Sequence, residues 1–126
     1  MEASIERVIE YIERYTAAGD RLAERLVALR TWNAEDIERL RSGVPISEST
    51  RVTGSADRSR GLTRLLDEFE ASRRGIRVAV VAAALEEGMT ITQIAEIFGV
   101  SRQLANRFVR EARALFDDPG TPDRPG

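Results

Sequence analysis

Residues 91–110 read ITQIAEIFGVSRQLANRFVR, and the physical role of each position sets the fold. Thr90 stands one residue ahead as a helix N-cap, and Gln93 completes a Thr-x-x-Gln capping box. Ile94 and Phe98, four apart, share the face that turns to a core. Ala95 suits a place where two helices cross, because a larger side chain would push them apart. Gly99 supplies the left-handed backbone that closes a helix without a Cβ penalty. Val100 plugs the turn, and Ser101 caps a second helix that runs to about Phe116. That helix is expected to bury a stripe of Leu104, Ala105, Phe108, Ala112 and Leu115. Upstream, Ile76, Val80 and neighbouring Ala and Val residues form a preceding helix that ends at Gly88.

The stretch resembles the tri-helical helix-turn-helix of bacterial repressors, resolvases and the promoter-reading domain of sigma factors. The resemblance covers about 35 residues, Ile76 to Arg113. The run AEIFGVS at 95–101 carries most of it: the small residue, the turn glycine and the core apolar positions all match. In those families the third helix lies in the major groove with its N-terminal residues on base edges. The resemblance therefore implies that Ser101, Arg102, Gln103, Asn106 and Arg107 read bases. Helical geometry agrees on its own terms. Arg102, Asn106 and Arg110 share a face, Gln103 and Arg107 lie beside it, and the apolar stripe is opposite. Arg suits guanine O6 and N7, while Gln and Asn suit adenine N6 and N7. Thr90, Thr92 and Gln93 are placed for phosphates. Arg110 and Arg113, further along, are placed for the DNA backbone or for acids such as Glu111. Arg77, with Arg73 and Arg74, adds positive charge just before the unit.

The first 70 residues resemble no named family. Ile5, Val8, Ile12, Tyr15, Gly19, Leu22, Leu26 and Leu29 alternate at spacings of three and four, a heptad seam. Gly19 either separates two helices or is tolerated within one long helix, and the unbroken register favours the long helix. This seam is the expected dimerisation element, through Ile5, Val8, Ile12, Tyr15, Leu22, Leu26 and Leu29. Ile9, Tyr11 and Ala23 widen its apolar face towards a small bundle. Asn33 is expected to cap a short helix over residues 34–41, which Gly43 stops. Residues 42–61, rich in Ser, Thr and Gly, read as a linker or exposed loop. Residues 62–74 are amphipathic through Leu62, Leu65, Leu66 and Phe69, and Gly75 is expected to separate or bend that helix from the next. The division expected is a helical arm over 1–41, a linker over 42–61, the helix-turn-helix domain over 62–116 and a disordered tail over 117–126, where Pro119, Pro122 and Pro125 preclude a helix. The fold class expected is all-α.

Composition narrows the function. Among the 126 residues there is no Cys and no His. No disulfide, thiolate metal site, Ser-His pair or Cys-His pair is available. No catalytic residue, metal or cofactor is therefore expected, and the chain is read as non-enzymatic. No apolar run approaches a bilayer span and no secretory leader is visible, so no membrane partner and a cytoplasmic, nucleoid-associated location are expected. All 19 basic residues are Arg, and the net charge is −2. The distribution matters more than the sum. Residues 1–70 carry a net −3, residues 71–116 a net +3 and the last ten residues −2. The positive segment holds the motif. The expected partners are double-stranded DNA and a second copy of the chain, since a head this small gains much from pairing. RNA polymerase or another protein is a further candidate for the acidic arm. Trp32 is either an interface anchor or an ordinary core residue. The functional expectation is sequence-specific DNA binding by a homodimeric transcriptional regulator. Its rivals are a helix-turn-helix adaptor that docks on protein, and an accessory or fragment of a recombinase.

Overall fold

A computed structural model describes residues 2–116, and every regular element among them is an α-helix. The order is α1 (Glu2–Arg41), α2 (Ile46–Thr53), α3 (Ser55–Glu86), α4 (Ile91–Phe98) and α5 (Arg102–Phe116). The all-α class holds, with a long N-terminal helix and a C-terminal tri-helical unit. The chain divides into two compact units. One takes Met1–Tyr15 with Ser72–Gly126, and the other takes Thr16–Ala71. No helix among the described residues is long and apolar enough to cross a membrane.

The first unit has an apolar core. Val78, Val81, Ala82 and Ala84 of α3 meet Ile94 and Ala95 of α4 and Ala105, Phe108, Val109 and Ala112 of α5. Val81, Ile94 and Val109 are fully enclosed. Alanines supply half of these ten positions and let the helix axes approach closely. Phe98 meets Phe108 edge-on, with ring centroids 5.8 Å apart. The buried stripe of α5 differs from the expected one at two places. Val109 is enclosed and Leu115 is 55% exposed. The stripe runs 105, 108, 109, 112 and on to Phe116, because 3.6 residues per turn carry it past position 115. The core face of α3 likewise passes through Val78 and Val81, leaving Ile76 and Val80 half-buried.

α3 does not break at Gly75. The chain stays helical from Ser55 to Glu86, and the glycine serves packing instead. A Cβ there would stand 2.7 Å from the Tyr11 ring, so its absence lets α1 and α3 close together. Tyr11 in turn meets Phe116 edge-on at 6.2 Å. Ser4, buried near the start of α1, donates a hydrogen bond to Glu86 at the end of α3.

In the second unit α1 continues unbroken through Gly19, which lies 3.5 Å from the Phe69 ring as judged by the Cβ it lacks. Arg21 pairs with Glu68 at 3.5 Å. Two guanidiniums lie over the Trp32 ring, Arg58 at 4.3 Å and Arg25 at 5.6 Å from its centre. This makes it a cation–π centre within its own chain. No separate helix begins at Asn33, since α1 runs on to Arg41.

Residues 42–61, expected as linker or loop, are largely helical. They hold α2 and the start of α3. Pro45 stands just ahead of α2, where its missing N–H leaves no helical bond unmade. Thr50 bonds back to the Ile46 carbonyl at 3.0 Å, so hydroxyl side chains that usually compete with a helix fold onto it. Gly54 closes α2 in the left-handed region. The expected disordered tail, 117–126, lies outside the described residues.

Candidate nucleic-acid interface

The hinge of the site is the α4–α5 corner. Thr90 sits in extended backbone, and its hydroxyl accepts a bond from the Gln93 N–H at 3.2 Å. The Gln93 side-chain oxygen accepts from the Thr90 N–H at 2.8 Å. Both halves of the capping box are thus closed. The Thr90 hydroxyl proton and the Gln93 amide protons remain as outward donors. At the other end of α4, Gly99 takes φ 64°. Its N–H bonds the Glu96 carbonyl at 3.2 Å, while the Val100 N–H bonds the Ala95 carbonyl at 3.0 Å. This pair of bonds is the Schellman closure, which turns the chain sharply into α5. Ser101 then accepts a bond from the Leu104 N–H at 3.1 Å and caps α5.

These caps, with Ala105, Phe108, Val109 and Ala112 locked in the core, fix which side of α5 faces outward. Ser101, Arg102, Gln103, Asn106, Arg107 and Arg110 are all exposed. The five expected base readers are therefore brought together on the first two turns of one helix. Among the described residues, Arg102, Arg107 and Arg110 have no acidic partner. Thr90, Thr92 and Gln93 are exposed at the start of α4, where free N–H groups and a positive helix end favour an anion.

Arg77 has a different environment from the other candidate phosphate residues. Its guanidinium reaches Glu111 at 3.3 Å and lies 4.3 Å from the Phe108 ring centre. Its Nε is buried without a partner. Arg77 thus ties α3 to α5, with its charge already answered. Glu111 faces this partner rather than Arg110 or Arg113. Sequence spacing alone does not reveal that pairing, because Arg77 and Glu111 are far apart along the chain.

The seven expected dimerisation residues fall on two faces. Val8, Tyr15, Leu22 and Leu29 are half-buried within their own chain. Ile5, Ile12 and Leu26 are exposed by 44–47%. Among the described residues no cluster of three or more carboxylates is arranged to hold a metal ion.

Residues 71–120 match the family model of a homeodomain-like domain. The chain therefore carries a helix-turn-helix unit of the DNA-binding kind in its C-terminal part. The N-terminal half matches no family model. No curated protein and no solved structure matches the chain.

Proposed function

We propose that this protein binds double-stranded DNA sequence-specifically through α5, and that it acts as a homodimeric regulator of transcription. The observation that carries the reading is the exposed row Arg102, Gln103, Asn106 and Arg107, held outward by a capped, fully packed helix-turn-helix. In this reading the first turns of α5 enter the major groove. Arg102 and Arg107 grip guanine edges, and Gln103 and Asn106 grip adenine edges. Ser101 completes the base-reading set at the mouth of the helix. Thr90, Thr92 and Gln93 hold one phosphate strand, and Arg110 holds the backbone further along. These contacts set the register of the head on the duplex. The acidic first 70 residues pair two heads and offer a surface to RNA polymerase or another protein. The protein works in the cytoplasm at the nucleoid and catalyses no reaction.

Selection of bound duplexes from a random pool tests the reading. An enriched palindrome is expected. On the selected site, Arg102→Ala or Asn106→Ala should cost about 1–3 kcal/mol and relax preference at one position. Affinity should fall steeply with salt. Binding to no duplex, with no salt dependence, would replace this reading with a protein-docking adaptor. Strand cleavage with magnesium would replace it with a recombinase-type function.

A further inference from the structure

α1 carries two heptad rows. Positions 4, 8, 11, 15, 18, 22, 25, 29, 32, 36 and 39 are buried or half-buried throughout. A second row runs 5, 9, 12, 16, 19, 23, 26, 30, 33, 37 and 40, and all of it but Gly19 is exposed. This outward row holds Ile5, Ile9, Ile12, Leu26, Ile37 and Leu40, each 42–49% exposed. Single apolar side chains on a surface are ordinary. Six large aliphatics on one heptad row are the pattern of a helix-pairing seam.

We infer that this outward row is the dimer seam, and that two copies pair through it with their α1 helices antiparallel. The inference rests on the homodimer reading above and names its face. In an antiparallel pair, each residue of one heptad position faces the complementary position of the partner helix. One register matches the outward row with itself. Ile9 comes opposite Leu40 and Ile12 opposite Ile37, so apolar meets apolar. Thr16 comes opposite Asn33, so polar meets polar. Gly19 comes opposite Arg30 and Ala23 opposite Leu26, so small meets large. The parallel alternative sets Arg30 against Arg30 and leaves Gly19 against Gly19, one a repulsion and the other a void.

The flanking charges point the same way. The exposed row beside the seam is acidic in its first half (Glu6, Glu13, Asp20) and carries Val27, Ala34 and Arg41 in its second. Antiparallel pairing lays the acids along Val27, Ala34 and Arg41, with Glu6 nearest Arg41. Parallel pairing stacks the acids of both copies at one end. Antiparallel geometry also leaves the inner row, including Val8, Tyr15, Leu22 and Leu29, to its own chain.

The absence of Cys allows a clean test on the full-length chain, because every introduced thiol is unique. Light scattering should show a wild-type dimer at micromolar concentration. Ile37→Asp should raise the dimer dissociation constant at least 100-fold with helical circular dichroism unchanged. Ala17→Asp, exposed but off the row, should leave it unaltered. Under mild oxidation, Ile9→Cys mixed with Leu40→Cys should form a mixed disulfide dimer, and neither should link to itself. Self-linking by each variant alone would overturn the antiparallel seam. A dimer that survives Ile37→Asp and gives no mixed disulfide would overturn this face while leaving the homodimer reading intact. A monomeric wild-type chain at 100-fold higher concentration would overturn the homodimer reading itself and the seam with it.

Discussion

The two units solve the burial of apolar residues in opposite ways. In the first, three helix segments enclose Val81, Ile94 and Val109 completely and place Phe108 and five alanines around them. In the second, the buried residues are Ala18, Ser49 and Thr53, while Leu26, Val27, Ile37, Leu40, Ile46, Val52 and Leu66 are each 42% exposed or more. A domain normally hides such residues around one core. The first unit therefore has an enclosed core, and leaves Ile5, Ile9, Ile12, Ile97 and Leu115 at its surface. The second presents apolar surface that association can cover. The contrast separates a part whose packing holds α5 in place from a part with little enclosed core of its own.

The sharpest way to break this contrast is truncation on each side of it. Ile94→Ala should cost about 2–5 kcal/mol in denaturant unfolding, as expected for a fully enclosed side chain. Val52→Ala, 66% exposed, should stay within about 0.5 kcal/mol. Equal costs would erase the distinction. Two glycines sharpen it next. Gly75→Ala drives a methyl into the Tyr11 ring, at a distance that real Cβ atoms do not tolerate. It should lose about 1–3 kcal/mol through overpacking. Gly19→Ala meets Phe69 at an ordinary 3.5 Å and should gain up to about 1 kcal/mol of helix propensity. Thermal unfolding of both variants reads the opposite signs. Thr90→Ala opens the capping box and should cost about 1 kcal/mol, with a parallel loss of amide protection at Gln93 in hydrogen exchange.

The smallest effect is electrostatic. The Ser4 hydrogen bond, aided by the Arg7 charge and opposed by partial desolvation, holds the Glu86 carboxyl below the usual carboxylate range. A group depressed on folding stabilises the folded form above its unfolded value, about 4.3 for Glu, and loses that contribution as pH falls through its folded value. Stability of the wild type should therefore fall more steeply below about pH 4.3 than that of Ser4→Ala, with the two curves parallel at neutral pH. Coincident curves across the acid range would remove the Ser4–Glu86 contact from the account.

The head was legible in the sequence because its signals are local. A cap and its partner lie three residues apart at Thr90 and Gln93, and the turn glycine, the closing carbonyls and the next cap all fall within the run 95–101. The rest depended on contacts between distant residues. Gly75 reads as a helix breaker until the Tyr11 ring is seen filling the space beside it. Arg77 reads as a free cation until Glu111 and Phe108 are found around it. Residues 42–61 read as a linker from their Ser, Thr and Gly content, yet Pro45 and Gly54 fall where a short helix needs them. The α1 seam was the subtlest case. One periodic pattern of apolar residues contains two rows, and Val8 and Ile12 part company only once the exposed side is known.

The alanine-rich core has a thermal consequence. Unfolding raises heat capacity in proportion to the apolar area it exposes, and each buried alanine contributes little of it. The first unit packs its helices closely around small side chains, and the second leaves many large ones already wet. The curvature of stability with temperature is therefore expected to be slight. The head should then keep much the same margin against unfolding in the cold as in the warm, which calorimetry reads as a small heat-capacity change.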